Sequence, residues 1–164
     1  DMGLTARNLG AVADIAAECG VRIALEFIPV STVPDLAAAS AIVEAAGRPN
    51  LGIAVDALHL RRSGGVPGDL ARVPAERLYL VQLCDGPAAA PQGEELYREM
   101  RAGRLLPGEG AFDLAALLRA MPAAAEIEVE VPNADYAHLG PVERAARVRL
   151  GTMAFLESLK EGAR

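Results

Sequence analysis

The chain has 164 residues, which is enough for one hydrophobic core and too few for two ordinary domains. Its net charge of -6, with few clustered Lys and Arg residues, argues against a nucleic-acid partner. There is no apolar run of about 18 residues to predict a membrane span, and the first residues lack the order of a secretory signal. Cys19 and Cys84 are isolated, so we expect reduced core thiols and a cytoplasmic location.

Predicted helices and strands alternate from the start of the chain. Thr5 is expected to cap a helix over residues 6–19, and a strand over 21–28 follows directly. A proline-containing loop then leads to a helix of about a dozen residues that ends near Ala46. Pro34 suits the first turn of that helix.

The apolar run LGIAVDALH at 51–59 predicts a strand that is buried on both faces and ends at Asp56. A carboxylate at the end of such a strand is costly unless it is paired or binds a metal. His59 follows three residues later, and neither turn nor cap chemistry requires this pair. A loop rich in Gly and Pro comes next, with a short helical turn predicted over 69–73.

Two strands and three helices complete the prediction, at 78–85, 94–101, 113–121, 126–131 and 141–159. The segment 86–110 is a long insertion after the third strand. Insertions of this length in a compact domain are usually functional or mobile.

Alternation of this kind predicts a parallel sheet with right-handed crossovers. Two architectures fit: an open doubly wound sheet, or part of a (β/α)8 barrel, which typically needs about 250 residues. No Gly-rich turn follows the first strand, which argues against dinucleotide binding. In both architectures active groups lie at the carboxyl ends of strands, where the sequence has Glu26, Asp56, Gln82, Asp85 and Glu130.

Five segments in this order resemble the sugar phosphate isomerase/epimerase family, the xylose isomerase-like TIM barrels: ALEFIP, EAAGRPNLGIAVDALHLRRSGG, VQLCDGP, RLLPGEGAFDLAALL and EVEVPN. The resemblance implies that residues 1–164 are a single partial (β/α)8 TIM-barrel domain. It also implies that they supply strands five to eight, the C-terminal half of the barrel. The exposed edges of such a half barrel lead us to expect either a missing N-terminal half or association of two copies.

The resemblance also implies a site. The family's metal ligands are a Glu, an Asp, usually a His and a Glu on successive strands, and the matching residues here are Glu26, Asp56, Gln82 and Glu130. Gln82 therefore replaces the usual His, and Thr32 replaces a second acid that many members carry.

Other roles follow from the same resemblance. Glu26 and Glu130 would also act as the acid/base pair, while His59 and Arg104 would bind substrate. Asp85 is a further substrate-binding candidate, with capping of the loop at Gly86 as the alternative. Glu26 has a structural alternative as well, an ion pair with Arg22 or Arg48.

The oxygen-rich ligand set favours Mn2+, Mg2+ or Co2+ over structural zinc. The resemblance implies a divalent-metal-dependent isomerase or epimerase that moves a proton through an enediolate of a small sugar or sugar phosphate. A dehydratase similar to 3-dehydroshikimate dehydratase is the close alternative, and a non-catalytic barrel remnant is the third. The expected partner is a carbohydrate, with no nucleic acid and no membrane.

Overall fold

The computed structural model describes residues 1–161, and within them four strands and six α-helices alternate along the chain. The strands are β1 (Ile23–Glu26), β2 (Leu51–Asp56), β3 (Leu78–Leu83) and β4 (Glu126–Val129). The helices are α1 (Met2–Glu18), α2 (Leu36–Ala46), α3 (Ala57–Arg62), α4 (Glu94–Ala102), α5 (Leu114–Ala120) and α6 (Pro141–Glu161). None of the helices in this part of the chain is long and apolar enough to cross a membrane.

The sheet is parallel and has the strand order β1-β2-β3-β4. Each new strand is added on the same side of the previous one. Right-handed crossovers therefore place the connecting helices on one face of the sheet. A doubly wound sheet needs a reversal of strand order, which is absent from this sheet. Of the two predicted architectures, the partial TIM barrel is confirmed.

The core lies between β2 and the helical layer. All six residues of β2 are buried, since the strand has a neighbour on each side and helices above it. Packing leaves no room for a side chain at Gly52, because a Cβ there would lie 2.7 Å from atoms of the Tyr79 ring. The predicted bounds of β2 match the structure.

Several predicted boundaries are wrong for identifiable reasons. Helix α1 begins at Met2 instead of residue 6, because the Asp1 carboxylate accepts hydrogen bonds from the first-turn amides. Asp35 caps α2 in the same way, so Pro34 precedes the cap and lies outside the helix. Strands β1, β3 and β4 are shorter than predicted. Both cysteines are free, but Cys19 is exposed rather than part of the core.

The largest difference is α3, a helix that directly follows β2 where a loop was expected. Its N-cap is Asp56, whose side chain accepts a hydrogen bond from the His59 amide. The spacing of Asp56 and His59 thus has a capping explanation, contrary to the sequence analysis. The short helical turn predicted over 69–73 is a 3-10 helix, Pro67–Arg72.

Strands β1 and β4 are the edges of the sheet. Three of the four β4 residues are exposed, and the Ile127 side chain is 52% exposed. Ile127 lines an apolar groove of about 730 Å³ between β4 and α6, together with Val129 and Val148. An exposed strand edge beside apolar surface is a template for pairing with further strands.

Candidate metal centre

The polar residues expected at the strand ends lie at one end of the sheet because all four strands are parallel. Glu26 is the last residue of β1 and Asp56 the last residue of β2. Gln82 is the register partner of Asp56 on β3. Glu130 directly follows β4, and its amide donates to the carbonyl of Leu83.

Glu26, Asp56 and His59 form a compact group. Each offers one ligand atom, and these atoms lie within 4.8 Å of one another. The Glu26 Oε1 atom lies 3.5 Å from His59 Nε2 without making a hydrogen bond. Two carboxylates and an imidazole at this separation are suitable ligands for a divalent cation. His59, expected to bind substrate, is therefore also a candidate ligand.

Asp56 is fully buried, and both its oxygens are engaged. Its Oδ1 accepts the His59 amide at 2.9 Å, and its Oδ2 accepts a hydrogen bond from Arg104 Nη1 at 2.5 Å. The cap fixes the carboxylate at the end of β2, because α3 can start only where its first amides have acceptors. The predicted role of Asp56 as a ligand thus coexists with two structural contacts.

Three buried polar atoms around this group have no hydrogen-bond partner among the described residues: Glu26 Oε1, His59 Nδ1 and Gln82 Oε1. Buried polar atoms are normally satisfied, and leaving one unpaired costs about 1–3 kcal/mol. Two of the three are oxygens, which are the donors that hard divalent cations prefer. The residues present therefore fit a divalent cation.

The Glu26 carboxyl and the His59 imidazole have shifted pKa values. Burial, reinforced by the charges of Asp56 and Glu130, raises the pKa of Glu26 to about 7. Burial also lowers the pKa of His59, although Asp56 opposes this shift. At neutral pH His59 is therefore mainly neutral and able to act as a ligand, while Glu26 is close to half protonated. A carboxyl with a pKa near 7 suits proton transfer at neutral pH.

Arg104 lies inside the site and is not a solvated loop charge. It is buried, its Nη2 lies 3.4 Å from Glu130 Oε2, and its Nε donates to the Met100 carbonyl. Burial opposes its charge, but the neighbouring Asp56, Cys84 and Glu130 outweigh this effect and raise the pKa of Arg104. Its guanidinium therefore connects Asp56 with Glu130, which is outside the compact three-residue group.

Asp85 has a different environment from the one expected of a substrate-binding residue. Its Oδ1 accepts hydrogen bonds from the amides of Gly86 and Phe112, and its Oδ2 accepts one from Gly108. The fully buried carboxylate thus ties together both ends of the long insertion. This geometry favours the alternative of loop capping over the predicted substrate contact.

The structural alternative for Glu26 is not found. Arg22 pairs with Glu126, and Arg48 pairs with Asp14. Sequence reasoning also missed a buried ion pair between Arg62 and Glu99. No pattern in the sequence indicates that pair, because its partners lie in different elements, 37 positions apart.

Comparison with known proteins identifies the family. The model of the Xylose isomerase-like TIM barrel family matches residues 2–154. A 3-dehydroshikimate dehydratase of Pseudomonas aeruginosa is 32% identical over 95% of this chain and 24% of its own length. An inosose isomerase of Halalkalibacterium halodurans is 30% identical over 80% of this chain and 47% of its own length. The chain thus spans half or less of these two relatives.

Solved structures agree with this fold. The IolI protein, solved with a bound zinc atom, superposes with a TM-score of 0.79 at 26% identity, covering 94% of this chain and 56% of that one. An L-ribulose 3-epimerase superposes with a TM-score of 0.70 at 19% identity, covering 99% of this chain and 56% of that one, a likeness of fold alone. The chain belongs to the Xylose isomerase-like TIM barrel family, and it corresponds to about half of a full member.

Proposed function

We propose that this chain carries the metal centre of a divalent-metal-dependent isomerase or epimerase acting on a small sugar or sugar phosphate. The observation that carries the proposal is the group of Glu26, Asp56 and His59, with buried oxygens that lack partners, at the carboxyl ends of parallel strands. A relative named as an inosose isomerase, 30% identical to this chain, supports this reaction class.

The residues have distinct roles in this proposal. Glu26, Asp56 and His59 would hold the cation, and Gln82 would contribute its amide oxygen. A bound divalent cation would stabilise negative charge on the substrate's oxygens. Glu26, whose pKa is raised to about 7, removes the proton from the carbon beside the carbonyl and leaves an enediolate. Glu130 then donates a proton. Donation to the neighbouring carbon completes an isomerisation, and donation to the opposite face of the same carbon completes an epimerisation.

A dehydratase is the second candidate. It is favoured by the 3-dehydroshikimate dehydratase of Pseudomonas aeruginosa, which aligns with 95% of this chain. Glu26 would remove the proton from carbon while Glu130 donates a proton to a hydroxyl on the adjacent carbon, which leaves as water. The two reactions are separated by their products, because an isomerase conserves the formula of the sugar and a dehydratase loses one water.

The direct test is to incubate the metal-loaded protein with a panel of ketoses, inososes and 3-dehydroshikimate, and to analyse the products by mass spectrometry and NMR. Exchange of a carbon-bound proton with solvent deuterium, with no change in formula, would support isomerisation or epimerisation. Glu126→Gln is the matched control for Glu130→Gln, since Glu126 lies on the same strand in an exposed ion pair. Equal rates of product formation in wild type and Glu130→Gln would contradict the role of Glu130.

Gln82 is expected to set the metal preference. An amide oxygen favours Mg2+ and Mn2+, whereas an imidazole nitrogen favours Zn2+. We expect Gln82→His to raise the Zn2+ affinity by at least about tenfold while Mn2+ affinity changes less. Competition titrations with a chromophoric chelator measure both constants. Unchanged Zn2+ affinity would show that residue 82 does not reach the cation.

We also propose that two copies of the chain associate through the exposed edges of β1 and β4. The exposed Ile127 and the apolar groove beside it support this expectation. Light scattering should give twice the mass of one chain, and Ile127→Lys should shift the mass towards that of one chain. A monodisperse wild-type monomer would contradict the proposal.

A further inference from the structure

A buried ion pair ties the insertion between β3 and α5 to helix α3. Arg62 Nε and Nη2 donate to the two carboxylate oxygens of Glu99 at 2.7 and 2.6 Å. The two side chains are only 1% and 7% exposed. A bidentate pair taken out of water is rarely more stabilising than well-packed apolar side chains. The buried pair is therefore better explained by the geometry that it fixes than by added stability.

Arg62 also holds both ends of the insertion. Its Nη2 donates to the carbonyl of Pro87, at the start of the insertion, at 2.8 Å. Its guanidinium lies 5.0 Å from the centre of the Phe112 ring, just after the insertion ends. The fit is close, because a Cβ at Gly86 would approach the Phe112 ring to 2.8 Å. Movement of Arg62 would thus free Pro87 and α4 from α3, while Asp85 would still hold the last part of the insertion.

Two ion pairs link the same two parts of the chain. Helix α3 starts at its cap, Asp56, and ends at Arg62. Helix α4 carries Glu99, and Arg104 follows the end of that helix. Helix α3 with its cap is therefore joined to the stretch from α4 to Arg104 at two points, by Arg62–Glu99 and by Asp56–Arg104.

We propose that Arg62 and Glu99 are positioning residues that hold Arg104 against Asp56 and thereby weaken the binding of a divalent cation. The inference rests on the proposed metal centre. A guanidinium on Asp56 Oδ2 occupies one carboxylate oxygen and lowers the negative potential that attracts a cation. A cation must therefore bind beside Arg104 or displace it, and the pair decides how readily Arg104 moves.

The proposal predicts a change in metal affinity that is opposite in sign to the change caused by simple structural disruption. If the pair were only structural, its loss would distort the ligands and weaken metal binding. If it holds Arg104 in place, its loss lets Arg104 leave Asp56, and metal binding becomes tighter. The sign of the change in affinity therefore separates the two roles.

The test compares Glu99→Gln with Glu95→Gln, which removes the exposed Glu95–Arg98 pair on the same helix. For Glu99→Gln we expect Mn2+ to bind about three to ten times more tightly than in wild type, and protease to cleave the 87–93 segment faster. For Glu95→Gln we expect neither change. Arg62→Met combined with Glu99→Leu replaces the pair by apolar side chains and covers the case in which Glu99→Gln unfolds the protein.

A variant cycle with Arg104→Met isolates the mechanism. Arg104→Met alone should tighten Mn2+ binding, and adding Glu99→Gln should then give no further gain, because both changes act through Arg104. Weaker or unchanged Mn2+ binding in the folded Glu99→Gln and Arg62→Met/Glu99→Leu variants would overturn the inference. If wild type binds no Mn2+, the proposed metal centre and this inference both fail. If wild type binds Mn2+ but the cycle is additive, only the positioning role fails.

Discussion

Asp56→Asn is expected to abolish tight metal binding and to destabilise the protein by about 3 kcal/mol. Asparagine caps helices as well as aspartate does, so the start of α3 should survive. The loss comes from Arg104, which stays buried and charged but loses its closest carboxylate. Removing one partner of a buried ion pair typically costs about 3–5 kcal/mol, and nearby Glu130 should keep the cost at the lower end. Urea unfolding and Mn2+ titration measure the two effects.

Two further variants separate these effects. Asp35→Asn changes the capping aspartate of α2, which pairs with no basic residue within residues 1–161. This variant should leave both stability and metal binding nearly unchanged. Asp56→Asn combined with Arg104→Met removes both charges and should recover at least half of the lost stability but none of the metal binding. Wild-type Mn2+ affinity in Asp56→Asn would mean that Asp56 is not a ligand.

Glu26→Gln is expected to stabilise the metal-free protein at pH 8 while abolishing metal binding. The pKa of Glu26 rises from 4.5 to about 7 on folding, so the folded state binds more protons than the unfolded state in this range. Stability is therefore lost as pH rises from about 4.5 to about 7, and the deficit is complete above that range. Because the side chain is 32% exposed, solvent screening limits this loss of stability to about 1–2 kcal/mol.

The pH dependence is the sharper part of this prediction. The stability difference between Glu26→Gln and wild type should be near zero at pH 4.5 and should grow to its full value by pH 8. Glu126→Gln, in an exposed pair with Arg22, should show no such growth. Chemical unfolding at several pH values in the presence of chelator gives these differences. A Glu26→Gln variant that is less stable than wild type at pH 8 would contradict the account.

A stabilising substitution at Glu26 would mean that the buried Glu26 carboxylate lowers the stability of the metal-free protein and is kept for its role in the site. Acidic side chains that crowd at strand ends repel one another, and a bound cation relieves that repulsion. The partnerless oxygens of Glu26 and Gln82 fit the same explanation.

The sequence predicted the parts of the fold that depend on local pattern. The buried strand over 51–56 and the helix over 94–101 were found almost as expected, because apolar runs and amphipathic spacing are strong signals. Helix α3 was missed because it is six residues long and its cap, Asp56, had been interpreted only as a ligand. Capping and ligation use the same kind of side chain, so the sequence alone could not show both.

The site was predictable in position but not in detail. Parallel strands bring their carboxyl ends together, so Glu26, Asp56 and Gln82 were expected at one end of the sheet. The contact between Arg104 and Asp56 spans 48 positions of the chain and depends on how the insertion folds back. The same is true of Asp85, whose three amide donors come from both ends of that insertion. Such long-range pairings leave no periodic trace in a sequence.

The central claim is that Glu26, Asp56 and their neighbours bind one divalent cation. The most direct measurement is a calorimetric titration of the chelator-treated protein with Mn2+ at pH 8 and again at pH 6. We predict that one ion binds per chain at pH 8. At pH 6 the Glu26 carboxyl is protonated and must release its proton before it can bind the cation, so we predict weaker binding accompanied by proton release. No binding at pH 8, or binding that survives unchanged in both Asp56→Asn and Glu26→Gln, would contradict the claim.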